Sequence, residues 1–81
     1  MEHEAVFRFA TPHAPALYRS VLPETESEVN PRSVASVRLE GEDTLVLTIR
    51  AEDIPALRAS LNMWLRLVNV AGEMLETAEA R

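Results

Sequence analysis

Five serines, two histidines and thirteen carboxylates are the groups in this 81-residue chain whose types could do chemistry. A nucleophilic serine needs a tight turn framed by glycine and a base within reach. Ser20, Ser27, Ser33, Ser36 and Ser60 have neither. His3 and His13 stand ten residues apart, outside the HxxxH and HExxH spacings that hold a metal on one helix face. With two glycines in all, Gly41 and Gly72, neither usual phosphate-cradling loop is present. Glu24, Glu26 and Glu28 read as a solvated acidic loop, and Glu52 and Asp53 as charges complementing a helix N-terminus. The chain has no cysteine, which removes disulfides, thiolate zinc sites and thiol redox chemistry together. No catalytic residue, metal or cofactor is therefore expected, and the protein reads as a non-enzyme.

All eight basic residues are arginines, and the formal net charge is −5. A self-sufficient nucleic-acid binder is usually basic, so the balance argues against one. Arg8, Arg38 and Arg50 nevertheless fall at outward positions of three strand-like segments, with Arg32 just before the second. Together with Ser36 and Thr48 they could touch phosphates, which require only charge and hydroxyl donors. The competing reading is a solvated sheet face balanced by Glu4 and Glu40. No outward aromatic is available to stack bases. A free-standing RNA module using Arg8, Arg32, Arg38 and Arg50 is thus the second reading, and an accessory contact within a larger assembly fits better.

These groups are positioned by a short list of elements. Ala5, Phe7 and Phe9 alternate with polar or smaller neighbours over Glu4–Ala10. Ala35, Val37 and Leu39 do so over Ser33–Glu40, and Leu45, Leu47 and Ile49 over Thr44–Arg50. A period of two means three strands, each with one strongly apolar face. Gly41-Glu42-Asp43 reads as the turn of a hairpin. Thr11-Pro12 opens a helix that Pro23 is expected to end, near Pro12–Leu22, before a polar stretch to Asn30-Pro31. Asp53-Ile54-Pro55 opens a second helix, near Ile54–Ala80. The order is β-α-β-β-α. It predicts one α+β domain over 1–81, a three-stranded antiparallel sheet with two helices on one face. No apolar run is long enough to span a membrane and the first residues are acidic, so an intracellular, cytoplasmic protein is expected.

The second helix carries more apolar surface than one small sheet needs. At ~100° per residue, Leu57, Leu61, Trp64, Leu65, Val68, Ala71 and Leu75 gather on one face. Met63, Leu67, Val70 and Met74 form another stripe, ~130° away by the same step. The first helix can take part of that stripe through Leu17, Val21 and Tyr18. It is only about three turns long against about seven, at ~1.5 Å per residue, so a portion is left for a partner. A chain this small buries only ~60–65% of its unfolded surface, which also favours a stabilising partner. Leu17, Val21, Met63, Leu67, Val70 and Met74 are the expected partner-binding residues.

Several short segments, taken in order, resemble a known family. They are Val21-Leu22-Pro23-Glu24, Arg32-Ser33, Leu39-Glu40-Gly41 with Leu45–Ile49, and then Ala51-Glu52-Asp53, Ala56-Leu57-Arg58-Ala59, Leu61-Asn62 and Leu65-Arg66. The set resembles the Pcc family, the small dimerising subunit of the KEOPS (EKC) complex of archaea and eukaryotes, over nearly the whole chain. Met63-Trp64 departs from it, standing where the family carries a small residue followed by tyrosine or phenylalanine. The resemblance implies a homodimer that docks the catalytic threonylcarbamoyl-transfer subunit through its helices. It thereby supports threonylcarbamoyl modification of the adenosine beside the tRNA anticodon, with tRNA touched indirectly or weakly. The lack of extensions points to an archaeal source.

Overall fold

In the structure, a computed structural model, residues 2–27 and 32–79 are described. The elements follow as β1 (His3–Ala10), α1 (Ala14–Ser27), β2 (Ser33–Glu40), β3 (Thr44–Ala51) and α2 (Ile54–Glu79). The expected order and fold class hold. All three strands are eight residues long and pair antiparallel, in the spatial order β1-β3-β2. β3 is thus the centre. Phe7 and Val37 flank Leu47, and Ala5 and Ala35 flank Ile49. These rows alternate with the rows that face away from the helices, as a pleat requires.

The core forms where the apolar face of the sheet meets the helices. Leu45, Leu47 and Ile49 of β3 are completely buried, joined by Val37, by Leu17 and Val21 of α1, and by Trp64 and Val68 of α2. α1 packs mainly on β2, and α2 lies against α1 as well as across the sheet, nearest β3. At ~1.5 Å per residue α2 is about 39 Å long, whereas an eight-residue strand at ~3.3 Å spans only about 26 Å. The molecule accordingly measures 42 × 21 × 18 Å, α2 being longer than the strands it crosses.

Local signals explain the joints. Gly41 takes a left-handed φ of 67° in the β2–β3 turn, the region where a side chain would strain. That turn is tied to the first connection by Thr11 N–H donating to the Asp43 carbonyl at 2.7 Å. Asp53 caps α2, its Oδ1 accepting from Ala56 N–H at 2.8 Å. The Asp53 carboxyl also pairs with the Arg32 guanidinium. Thr11 Oγ1 accepts from His13 N–H at 3.1 Å, so Pro12 and His13 form a turn and the helix proper begins at Ala14.

One expected boundary is wrong. Pro23 does not end α1, which runs on to Ser27. Proline removes one N–H and disturbs the carbonyl four residues back, that of Arg19. Arg19 is exposed, so water can satisfy that group. Thr25 Oγ–H also donates to the Leu22 carbonyl at 2.7 Å and Ser27 Oγ–H to that of Glu24 at 3.3 Å, holding the last turn closed. The remainder of the expected acidic loop, residues 28–31, lies outside the described residues, as does Ala80 at the expected end of α2.

Candidate interaction surfaces

The two apolar stripes of α2 part company in the structure. Trp64 and Val68 are buried, and Leu57, Leu61, Leu65, Ala71 and Leu75 pack partly against the core. From the second stripe the domain takes Leu67, which is half-buried against the same cluster. Met63, Val70 and Met74 remain 43%, 49% and 68% exposed. Val70 and Met74 line a shallow depression with Glu73, Thr77 and Ala78 near the end of the helix. Unlike those three, Leu17 and Val21 are 3% and 1% exposed. They hold α1 to the sheet, so they belong to the domain's own core and present no surface. The expectation that they line the docking surface is corrected on that ground.

The second surface is the sheet face away from the helices. Register sets Arg8, Val46 and Arg38 in one row across β1, β3 and β2. Glu40, one row along, draws both arginines over the centre. Arg8 Nε donates to its Oε1 at 3.2 Å and Arg38 Nη1 to its Oε2 at 2.9 Å. These hydrogen bonds hold the Glu40 carboxyl below the usual carboxylate range, Arg8 contributing most. Beneath this canopy Val46 is fully buried although it points away from the core. The arginine stems supply the cover that a second layer would otherwise give. A sequence reading of alternation alone assigns Val46 to solvent. The Arg38–Glu40 pair at i,i+2 on one strand face is the signal that anticipates the canopy.

The four arginines are therefore not a free basic patch. Arg8 and Arg38 share Glu40, and Arg32 sits against Asp53 at the α2 N-terminus. The Asp53 carboxyl is held low first by the Ala56 N–H and then by Arg32. Arg50 stands apart, two rows from the Arg8–Arg38 row, and has no ion pair among the described residues. No group of three metal-ligating side chains occurs among the described residues. None of their buried side-chain polar atoms lacks a partner. The Ser33 and Ser60 hydroxyls, for example, bond each other at 2.6 Å and lock the start of β2 to α2. No helix of the described residues is long and apolar enough to cross a membrane.

The third surface is the pair of strand edges. β1 and β2 each use one side in pairing with β3, leaving one backbone edge apiece.

Fold and surfaces together define a small α+β domain whose helical layer exposes an apolar line and whose sheet is open on one face. The family model described as transcription factor Pcc1 matches residues 2–76. The chain belongs to that family, the KEOPS/EKC subunit family, which is not a known catalytic one. No curated protein matches the chain.

Proposed function

We propose that the protein is a non-catalytic assembly subunit of the KEOPS complex. In this reading it forms a homodimer through its sheet side and docks the catalytic threonylcarbamoyl-transfer subunit through its helical layer. It serves tRNA modification in the cytoplasm of an archaeal cell without supplying the chemistry. The observation that carries the reading is the exposed line of Met63, Val70 and Met74 on a helix whose other apolar face is covered. Methionine adapts its shape at low cost, which suits a contact surface. Family membership supplies the kind of assembly.

The sheet-side dimer is supported by the register arithmetic of β1. An antiparallel pair of β1 strands centred on Val6 sets Glu4 of each copy opposite Arg8 of the other. Cross-strand charge pairs of this kind favour one register. Val6 is among the exposed large apolar residues, and it would meet its own copy at the axis. A free-standing RNA module is the weaker reading, because three of its four arginines are already held by carboxylates.

The test is co-purification of the tagged protein with the catalytic subunit of the same organism. Val70→Asp with Met74→Asp should abolish capture and leave circular dichroism unchanged, since both side chains are exposed. Capture that survives the double substitution, or a catalytic subunit that never co-purifies, sinks the docking claim. Light scattering should report a dimer, and a clean monomer at micromolar concentration ends the sheet-side proposal.

A further inference from the structure

A second depression, of about 250 Å³, lies between the β1–α1 connection and the C-terminal half of α2. Its apolar lining is Phe9 of β1, Leu17 of α1 and Val68 of α2, the last two being buried members of the core. Its polar lining includes His13 from the connection and Glu73 and Glu76 from the helix. Gly72 lines it as well. At ~100° per residue, Gly72 stands ~160° round α2 from both Val70 and Met74, so this is a different surface from the exposed apolar line. Glu73 borders both depressions.

The glycine is informative. In a helix interior it is the least favourable residue after proline. A Cβ built on Gly72 meets nothing within 4 Å, so no close contact inside the chain requires it. Nor does the backbone, because the positive φ among the described residues belongs to Gly41. The helix thus leaves room in the wall of the depression that its own side chains do not use.

We propose that this depression binds a small organic cation, a primary ammonium or guanidinium group on a short aliphatic stem. Its volume lies below the ~300–1,000 Å³ of pockets for drug-sized ligands, so the stem is short. The rim sets the sign of the head group. Glu73 and Glu76 are exposed, have no ion pair among the described residues, and share the depression with no arginine. Three residues apart on one helix, their Cβ atoms stand ~5–6 Å from each other, a span one N–H-bearing cation can bridge. An anion would be repelled there. A bare metal ion does not fit, because no group of three His, Asp or Glu side chains among the described residues could hold one. A multi-atom cation needs no such convergence. Its head meets the two carboxylates while its stem covers Phe9, Leu17 and Val68, in the room beside Gly72. Occupied in this way, the depression ties the β1–α1 connection to α2, and the ligand stabilises the folded chain by mass action. The site is independent of the assembly reading above.

The test is a titration of the isotope-labelled full chain with butylguanidinium, butylammonium, butanol and butyrate, read by amide NMR shifts. Either cation should give saturable shifts at His13, Gly72 and Glu73 and should raise Tm; butanol and butyrate should do neither. Glu73→Gln with Glu76→Gln should weaken binding by roughly tenfold, within the range of two exposed charge pairs. Gly72→Leu fills the depression with a strong helix former, and should abolish the shifts with circular dichroism unchanged. Should that variant misfold, the glutamine pair, which alters only exposed positions, still decides the matter. Butanol binding as tightly as the cations, or shifts that never saturate, overturns the proposal. Undiminished binding in the glutamine pair does the same. So does self-association that the cations disperse, because a second copy of the chain then fills the depression.

Discussion

Alanine at position 72 should stabilise this domain, and the reasoning can be followed atom by atom. Gly72 sits inside α2, seven residues before its end. A Cβ built there meets nothing within 4 Å, so the added methyl neither clashes nor fills a cavity. What changes is the conformational freedom of the unfolded chain and the intrinsic helix propensity. Glycine in a helix interior costs about 0.8–1 kcal/mol relative to alanine. For a domain of this size a gain of about 1 kcal/mol raises Tm by roughly 4–8 °C. The same replacement at Gly41 supplies the opposite sign. There φ is 67°, and the nearest atom to a built Cβ is Asp43 Oδ1 at 3.9 Å, so the cost is backbone strain and not crowding. Gly41→Ala should lower stability by about 1–2 kcal/mol. Thermal unfolding followed by circular dichroism, with urea melts on the same samples, measures both. Loss of stability at Gly72→Ala would refute the argument. Were self-association of the chain to weaken in that variant as well, another copy must lie against the helix at Gly72.

Two further outcomes follow from the ionic joints. Asp53→Ala removes the cap on Ala56 N–H together with the Arg32 partner, and should lower the urea midpoint by the equivalent of about 0.5–2 kcal/mol with an unchanged slope. Glu40 and Asp53 both have carboxyl groups held below their ordinary range. Their contribution is therefore complete at neutral pH and is lost as pH falls through the carboxylate range, because the unfolded chain then takes up protons first. Stability should decline on acidification, and Glu40→Gln should make that decline shallower. An unchanged pH profile in Glu40→Gln would show that the Arg8–Glu40–Arg38 canopy contributes nothing to folding.

The elements of this protein, and the order in which they occur, are legible in its sequence because they depend on local periodicity. A period of two in Ala5-Phe7-Phe9, Ala35-Val37-Leu39 and Leu45-Leu47-Ile49 requires strands, and the two stripes of α2 require a helix. Asp53 before Ile54-Pro55 and Gly41 in the hairpin act over three or four residues, within reach of a sequence reading. The apolar stripe of the candidate docking surface was visible for the same reason. The end of α1 is not legible at Pro23, because the cost of proline depends on whether the disturbed Arg19 carbonyl meets water, which is a matter of exposure.

What tertiary structure alone decided is how neighbours distant in sequence share those faces. Leu17, Val21 and Leu67 looked like partners of Met63, Val70 and Met74, but helical spacing cannot say which apolar side chain the sheet will reach. The core took the first two entirely and Leu67 in half, leaving the other three outside. Val46 alternates outward, yet it is sealed because strand order puts Arg8 and Arg38 on either side of it with Glu40 between their tips. That strand order, β1-β3-β2, is set by long-range pairing, and it converts an apparent basic patch into a compensated one. Periodicity determined which residues could form a surface; packing across the three strands determined which of them still do.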